Sequence, residues 1–442
     1  MASLAKNLAL FAVEQCMKLW DKGYTTENIV ERYTVGNDRV LDLKLAKHDV
    51  TENRAHAKML HKIGILSESE LNDILKGLDE ISKTIEDGTF TIEEQFEDVH
   101  SKIEFELVQL IGEAGKKIHT ARSRNDQVLV DLHLYAREEL QQIKELSKTL
   151  FETFMGLADQ HKKILMPGYT HLQVAMPSSF GLWFSAYAES LVDDVIMLNA
   201  ALKIADQNPL GSAAGYGSSF PIDRMMTTEL MEFETMKYNV VAAQMSRGKL
   251  EKTISYALAS VSGTLSKLSA DICLYMSQNF NFIGFPKELT TGSSIMPHKQ
   301  NPDVFELMRG HCNKIQNLPT ELAFITNNLT TGYHRDFQLL KESLMSAIDQ
   351  TKDNLEVCNF MLQHIKINEH ILESDMYDYL YSVEEVNKLV LSGMTFRDAY
   401  QKLGKEILEG NFKPNKEVNH THEGSLGNLC LDEIKQKFYN TF

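Results

Sequence analysis

Apolar residues recur at helical spacing along three unusually long stretches of the chain. In the first, residues 127–161, there is no proline and Gly156 is the only glycine. Val128, Leu132, Tyr135, Leu140, Ile143, Leu146, Leu150, Phe154 and Leu157 follow one another at the three- to five-residue intervals of an amphipathic helix. The second stretch covers residues 178–207 and the third runs from residue 246 to about residue 279. At 1.5 Å per residue each rod is about 45–50 Å long, well beyond the usual three-turn helix, which predicts a long bundle. The third stretch carries Ile254, Ala257, Leu258, Val261, Leu265 and Leu268 beside the small residues Ala259, Gly263 and Ala270. A helix apolar on several sides is buried on several sides, so the bundle is expected to pack against further copies of the chain.

Shorter helices are expected on either side. Residues 1–110 read as short helices; one covers residues 67–78, opened by a capping pair, Ser67 and Glu70, and ended near Gly77. The pattern shortens again after about residue 364. The expected fold is all-α in three parts: an N-terminal helical domain (1–115), a central long-helix bundle (116–363) and a small C-terminal helical domain (364–442). Loops marked by glycine and proline, at residues 166–177, 208–221 and 285–302, join the rods. Catalytic residues favour such loops at the ends of rigid elements.

Composition narrows the function classes. Of the 442 residues, 45 are Lys or Arg and 61 are Asp or Glu, a formal charge of −16, which disfavours a nucleic-acid partner. An anionic substrate must then be held by a local cationic site. Cys16, Cys273, Cys312, Cys358 and Cys430 are scattered without a CxxC pair, the usage of reduced cytosolic thiols. The apolar run at residues 8–13 is short and ended by Glu14, unlike a signal peptide. No run reaches the roughly 18 apolar residues that span a bilayer. A cytoplasmic protein with no membrane partner is expected.

The chemistry concentrates in residues 291–302, TGSSIMPHKQNP. Met296-Pro297 stiffens what would otherwise be an ordinary Gly-Ser linker, and Ser293, Lys299 and Asn301 offer a hydroxyl, a cation and an amide to a carboxylate. The segment resembles the Gly-Ser-Ser-x-x-Pro-x-Lys-x-Asn loop of the fumarase/aspartase superfamily at every patterned position. Two further segments, HTARSRNDQV at 119–128 and PGYTHLQ at 167–173, resemble the argininosuccinate lyase family within it. MKLW at 17–20 resembles that family's N-terminal Lys-Leu-Trp, which would make residues 1–16 an upstream extension or a misassigned start. The resemblance covers roughly residues 17–410. Departures are Ala121 and Gln300 in place of a usual glycine and lysine, Glu52-Asn53 where Gly-Ser is frequent, YTVG at 33–36 in place of a Phe-Asn-x-Ser stretch, and the tail at 420–429. The YTVG departure leaves one substrate contact unassigned.

The resemblance implies an anti-elimination that splits argininosuccinate into arginine and fumarate through a carbanion drawn as an aci-carboxylate. It implies Ser293 as the group that removes the proton, His171 as partner acid or base, Glu306 as the carboxylate orienting His171, and Lys299 with Asn301 as donors to the developing charge. The opposite direction of proton movement, with His171 as base and Ser293 as donor, stays open at this point. By the same resemblance Ser123, Arg124, Asn125, Thr170, Tyr333, Gln338 and Lys341 contact substrate, with Asp98 and His100 of EDVH, and Asp98 is the guanidinium acceptor. A homotetramer with sites shared between chains is implied, and neither metal nor organic cofactor.

Other features are read as structural. Gly211, Gly215 and Gly217 lack phosphate-loop spacing and suit a tight turn. His420 and His422 lack a third metal ligand. His56 and His61 suit a helix surface. The competing functions are a superfamily lyase acting on another N-substituted aspartate, such as a nitrosuccinate- or adenylosuccinate-type enzyme, and a non-catalytic protein on the same fold, as with lens delta-crystallins. The segment 122–126 argues against adenylosuccinate; intact Ser293, His171, Lys299 and Asn301 argue against lost catalysis.

Overall fold

A computed structural model describes residues 27–442 of the chain; MKLW and the possible extension before it lie outside the described residues. The long rods form helices Arg124–Gln160, Phe180–Ala205 and Lys249–Tyr275, joined by a fourth, Leu340–Leu362. Among the described residues strand structure is confined to short two-stranded pairings, and the fold is all-α. Among the described residues no helix is long and apolar enough to cross a membrane.

The chain divides into two compact units. The first comprises the described part of Met1–Gln141 with Ala200–Ala257 and Asn317–Asp349. Its core includes Ala55, Val130, Leu134, Leu210, Met231 and Phe233, all buried. The helix Glu68–Glu86 opens on the expected capping box, with Ser67 Oγ accepting from Glu70 N and the Glu70 carboxylate from Ser67 N. It continues past Gly77, contrary to the expected end. A β-carbon at Gly77 would lie 2.8 Å from Leu107, so this glycine serves close helix packing rather than a stop. His56 is also a correction: it is buried, not on a surface, and its Nε2 lies 2.8 Å from the carbonyl of Thr120.

The second unit comprises Gln142–Asn199, Leu258–Gln316 and Gln350–Phe442. Phe154 packs on Phe184 and Tyr187, and Phe151 stacks on Phe438 at 3.8 Å between centroids. Two carboxylates in this bundle are paired: Asp194 accepts from Ser260 and Thr264, and Asp271 from Trp183 and Tyr187. Burial without such partners would be costly. The loop expected at 166–177 is instead an antiparallel hairpin of Leu165–Thr170 with Gln173–Ser179. The β-branched and aromatic residues Tyr169, Thr170 and Val174 fit such a pairing.

Candidate active site

The sequence Ser123-Arg124-Asn125-Asp126 first builds a helix start. Ser123 Oγ accepts from Asn125 N at 3.2 Å, and the Asp126 carboxylate accepts from Ser123 N at 2.8 Å, a reciprocal cap on Arg124–Gln160. The second Asp126 oxygen accepts from the backbone of Gly211 and Ala213, tying down the glycine-rich turn. Ser123 is thus engaged at the helix start. Its neighbours Arg124 and Asn125 line a cavity of about 180 Å³ in the first unit. Ala121, just before this segment, has φ +65°. That is the left-handed region glycine occupies without penalty, and it costs other residues about 1–2 kcal/mol. The family's usual glycine at this position has a backbone reason.

The same cavity is lined by Asp98, His100, Tyr333, Gln338 and Lys341. Seven of the expected substrate contacts therefore meet at one place. The sequence reading missed Asp38, Asp42, Glu97, Arg247 and Arg335, which complete the wall. Arg335 lies two residues after Tyr333, and Glu97 opens EDVH, so their neighbourhoods were visible. Arg247 precedes a helix in no motif; it is fixed by its contact with Glu251 at 2.9 Å and by donating to the carbonyl of Phe337 at 2.8 Å. Gly248 has φ +81°, and a β-carbon there would meet Thr326 at 3.0 Å and Phe337 at 3.2 Å. Only glycine lets the chain pass Phe337 so closely.

Charges in the cavity are interleaved. Arg124 Nη1 contacts Asp98 at 2.8 Å and Glu97 at 3.3 Å, and Arg335 contacts Glu97 at 2.8 Å. The buried Lys341 lies 2.8 Å from Asp38 and 2.7 Å from Asp42. Burial works against the Lys341 charge, but Asp42 and Asp38 outweigh it and hold the ammonium above its ordinary range. Burial pushes the Asp38 carboxyl up to about 6 despite Lys341. At Asp98 burial is outweighed by Arg124 and His100, and its carboxyl stays below the usual value. Arg124 Nε and Nη2 are buried with no protein partner. Unpaired guanidinium N–H groups on a cavity wall are donors ready for a carboxylate.

The remaining expected residues lie in the second unit. Thr291 and Asn301 bridge across the base of the loop, with Asn301 N donating to the Thr291 carbonyl at 2.9 Å. Inside it, Ser293 Oγ accepts from Met296 N at 3.1 Å and Ile295 N at 3.3 Å. Two backbone N–H groups on one oxygen favour its anionic form. Lys299 and Glu306 are exposed, the latter in the first turn of Asp303–Gln316. His171 is exposed at the hairpin turn, where it and Leu172 have φ +54° and +57°. Such turns ordinarily take Asn-Gly; non-glycine residues held there are frequent at functional sites. Among the described residues His171 and Glu306 make no hydrogen bond to each other.

Asp49, His100 and Asp131 offer ligand atoms within 4.8 Å of one another. His100 Nδ1 lies 2.5 Å from Asp49 Oδ1, so two of these groups are joined by a hydrogen bond.

A family model described as Lyase matches residues 24–317. A curated argininosuccinate lyase of Bacteroides fragilis is 54% identical over 424 residues, covering 96% of this chain and 95% of that protein. One of Thermotoga neapolitana is 39% identical over 393 residues, covering 88% and 99%. In fold the chain is similar to EDDS lyase solved with formate, at TM-score 0.77, 19% identity and coverage of 95% and 91%. It is similar also to a fumarate lyase:delta crystallin from Brucella melitensis, at TM-score 0.71, 16% identity and coverage of 95% and 94%.

Proposed function

The chain belongs to the argininosuccinate lyase family, and we propose how its residues split argininosuccinate into arginine and fumarate. The observation that carries the reading is the cavity wall: the unpaired N–H groups of Arg124 beside the carboxylates Asp98, Asp38 and Asp42. The substrate carries carboxylates and a guanidinium together, and that interleaving of donors and acceptors suits both. Arg124, Asn125 and Lys341 hold carboxylates, with Tyr333, Gln338 and Thr170 as neutral partners, and Asp98 receives the guanidinium.

Ser293, as an alkoxide held by its two N–H donors and by Lys299, removes the proton from the carbon beside one succinyl carboxylate. The electron pair passes into that carboxylate as an aci-form, stabilised by Lys299 and Asn301. Charge created beside existing charge makes preplaced donors the dominant catalytic effect. The pair then returns to form the C=C bond as the C–N bond breaks, and His171 protonates the departing guanidino nitrogen. Ser123 acts by fixing Arg124 and Asn125, and Glu306 orients His171 in the assembled oligomer.

We read the enzyme as a cytoplasmic homotetramer. Ile196, Met197, Val357 and Phe360 are exposed on the long helices, and such apolar faces suit burial by another copy. The chemistry needs acid, base and donors only. Protein dialysed exhaustively against EDTA should therefore release fumarate from argininosuccinate, read at 240 nm, at the undialysed rate, and none from adenylosuccinate. Preference for adenylosuccinate, or activity restored only by a divalent ion, would contradict this reading.

A further inference from the structure

His100 belongs to the cavity wall, yet its surroundings belong to the core. Its Nδ1 lies 2.5 Å from Asp49 Oδ1, and the other Asp49 oxygen accepts from Asn53 Nδ2 at 2.9 Å. Asp49 is wholly buried and Asn53 nearly so. Both Asp49 oxygens thus receive hydrogen bonds, with His100 Nδ1 as the donor to one of them. Asp131, also wholly buried, lies 3.7 Å from the same Nδ1, and its oxygens make no hydrogen bond. His100 Nε2 is buried with no protein partner. His100 lines the cavity, and a ring fixed at one nitrogen by a carboxylate, with its second nitrogen unpaired, is arranged to present that second nitrogen.

We propose that Asp49 and Asn53 are positioning residues for His100: the chain Asn53→Asp49←His100 fixes the imidazolium and offers Nε2–H to a substrate carboxylate. The inference rests on the lyase reading above and adds to it a reason for Asn53. A serine there keeps one donor for Asp49; alanine keeps none.

Most of the groups facing His100 are carboxyls, and burial holds that of Asp131 well above its ordinary range. Asp49 and Glu52 come from Ala46–Lys62, Asp42 from Asp38–Asp42, Asp98 from the start of its own helix and Asp131 from Arg124–Gln160. His119, Arg122 and Arg124 oppose them. Burial disfavours the imidazolium, but Asp49, followed by Asp98 and Asp42, raises it to about 9. The donor is therefore present at neutral pH and lost as pH rises through about 9.

The test is the pH dependence of kcat/KM for argininosuccinate in the native enzyme and in Asp49→Asn, Asn53→Ala and Asn53→Ser. Asp49→Asn should move the alkaline limb at least one pH unit lower and raise KM about tenfold or more, with a smaller fall in kcat. Asn53→Ala should move the limb in the same direction by less, and Asn53→Ser should restore it. If Asp49→Asn does not fold, Asn53→Ala against Asn53→Ser carries the test. Folded variants with lower thermal midpoints but an unmoved limb would overturn the inference, since a purely structural role changes stability alone. If the native protein does not turn over argininosuccinate, the lyase reading fails separately. The inference is then judged by calorimetric affinity for fumarate at pH 7 and 9.5, where an equal loss of affinity in native and Asn53→Ala protein overturns it.

Discussion

Ser293→Ala is expected to lower turnover at least 100-fold while leaving argininosuccinate binding within roughly tenfold. Ser293 Oγ accepts from two backbone N–H groups in a loop closed by the Thr291–Asn301 bridge, so alanine removes the oxygen without removing the loop. Positioned acid–base groups contribute about 10²–10⁴ in rate. A group that acts mainly in the transition state changes kcat far more than ground-state affinity. Calorimetric titration with substrate and steady-state rates measure the two effects separately. Turnover above a few per cent of native would show that Ser293 is not an essential proton-transfer group, and would move the base role to His171.

Mixing two inactive chains should restore activity. Asn125 lies in the first turn of Arg124–Gln160, and His171 lies beyond its last. An unbroken helix of 37 residues is about 55 Å long, far more than one small substrate spans. If both residues serve one site, they come from different chains. Asn125→Ala and His171→Ala proteins, each inactive, denatured and refolded together, should then show activity at about a quarter of sites, the fraction in which random assortment leaves both residues intact. Hybrid oligomers that form, by native gel, yet show no activity above either parent would place both residues on one chain.

The sequence made the rods legible because proline-free apolar periodicity over that length has few other solutions. It also located the cap of Ser67 with Glu70, whereas the capping role of Ser123 and Asp126 was hidden behind the family motif. Local signals failed where tertiary contacts decide. Gly77 looks like a stop and is a packing site against Leu107; His56 looks like a surface residue and is buried against Thr120. The hairpin carrying His171 was hidden by its own glycine and prolines. In the cavity, Arg124 and Lys341 lay in segments the family resemblance picks out, whereas Asp38, Asp42 and Arg247 carry no motif and acquire meaning only through Lys341, Glu251 and Phe337.

The reaction run backward in D₂O tests the central claim most directly. Arginine and fumarate incubated with the protein should yield argininosuccinate with one deuteron on the succinyl methylene, at a single diastereotopic position, followed by proton NMR. One base delivering one deuteron from one face of the bound fumarate, opposite the incoming nitrogen, predicts that product alone. Deuterium at both methylene positions, or no argininosuccinate formed, would contradict the account.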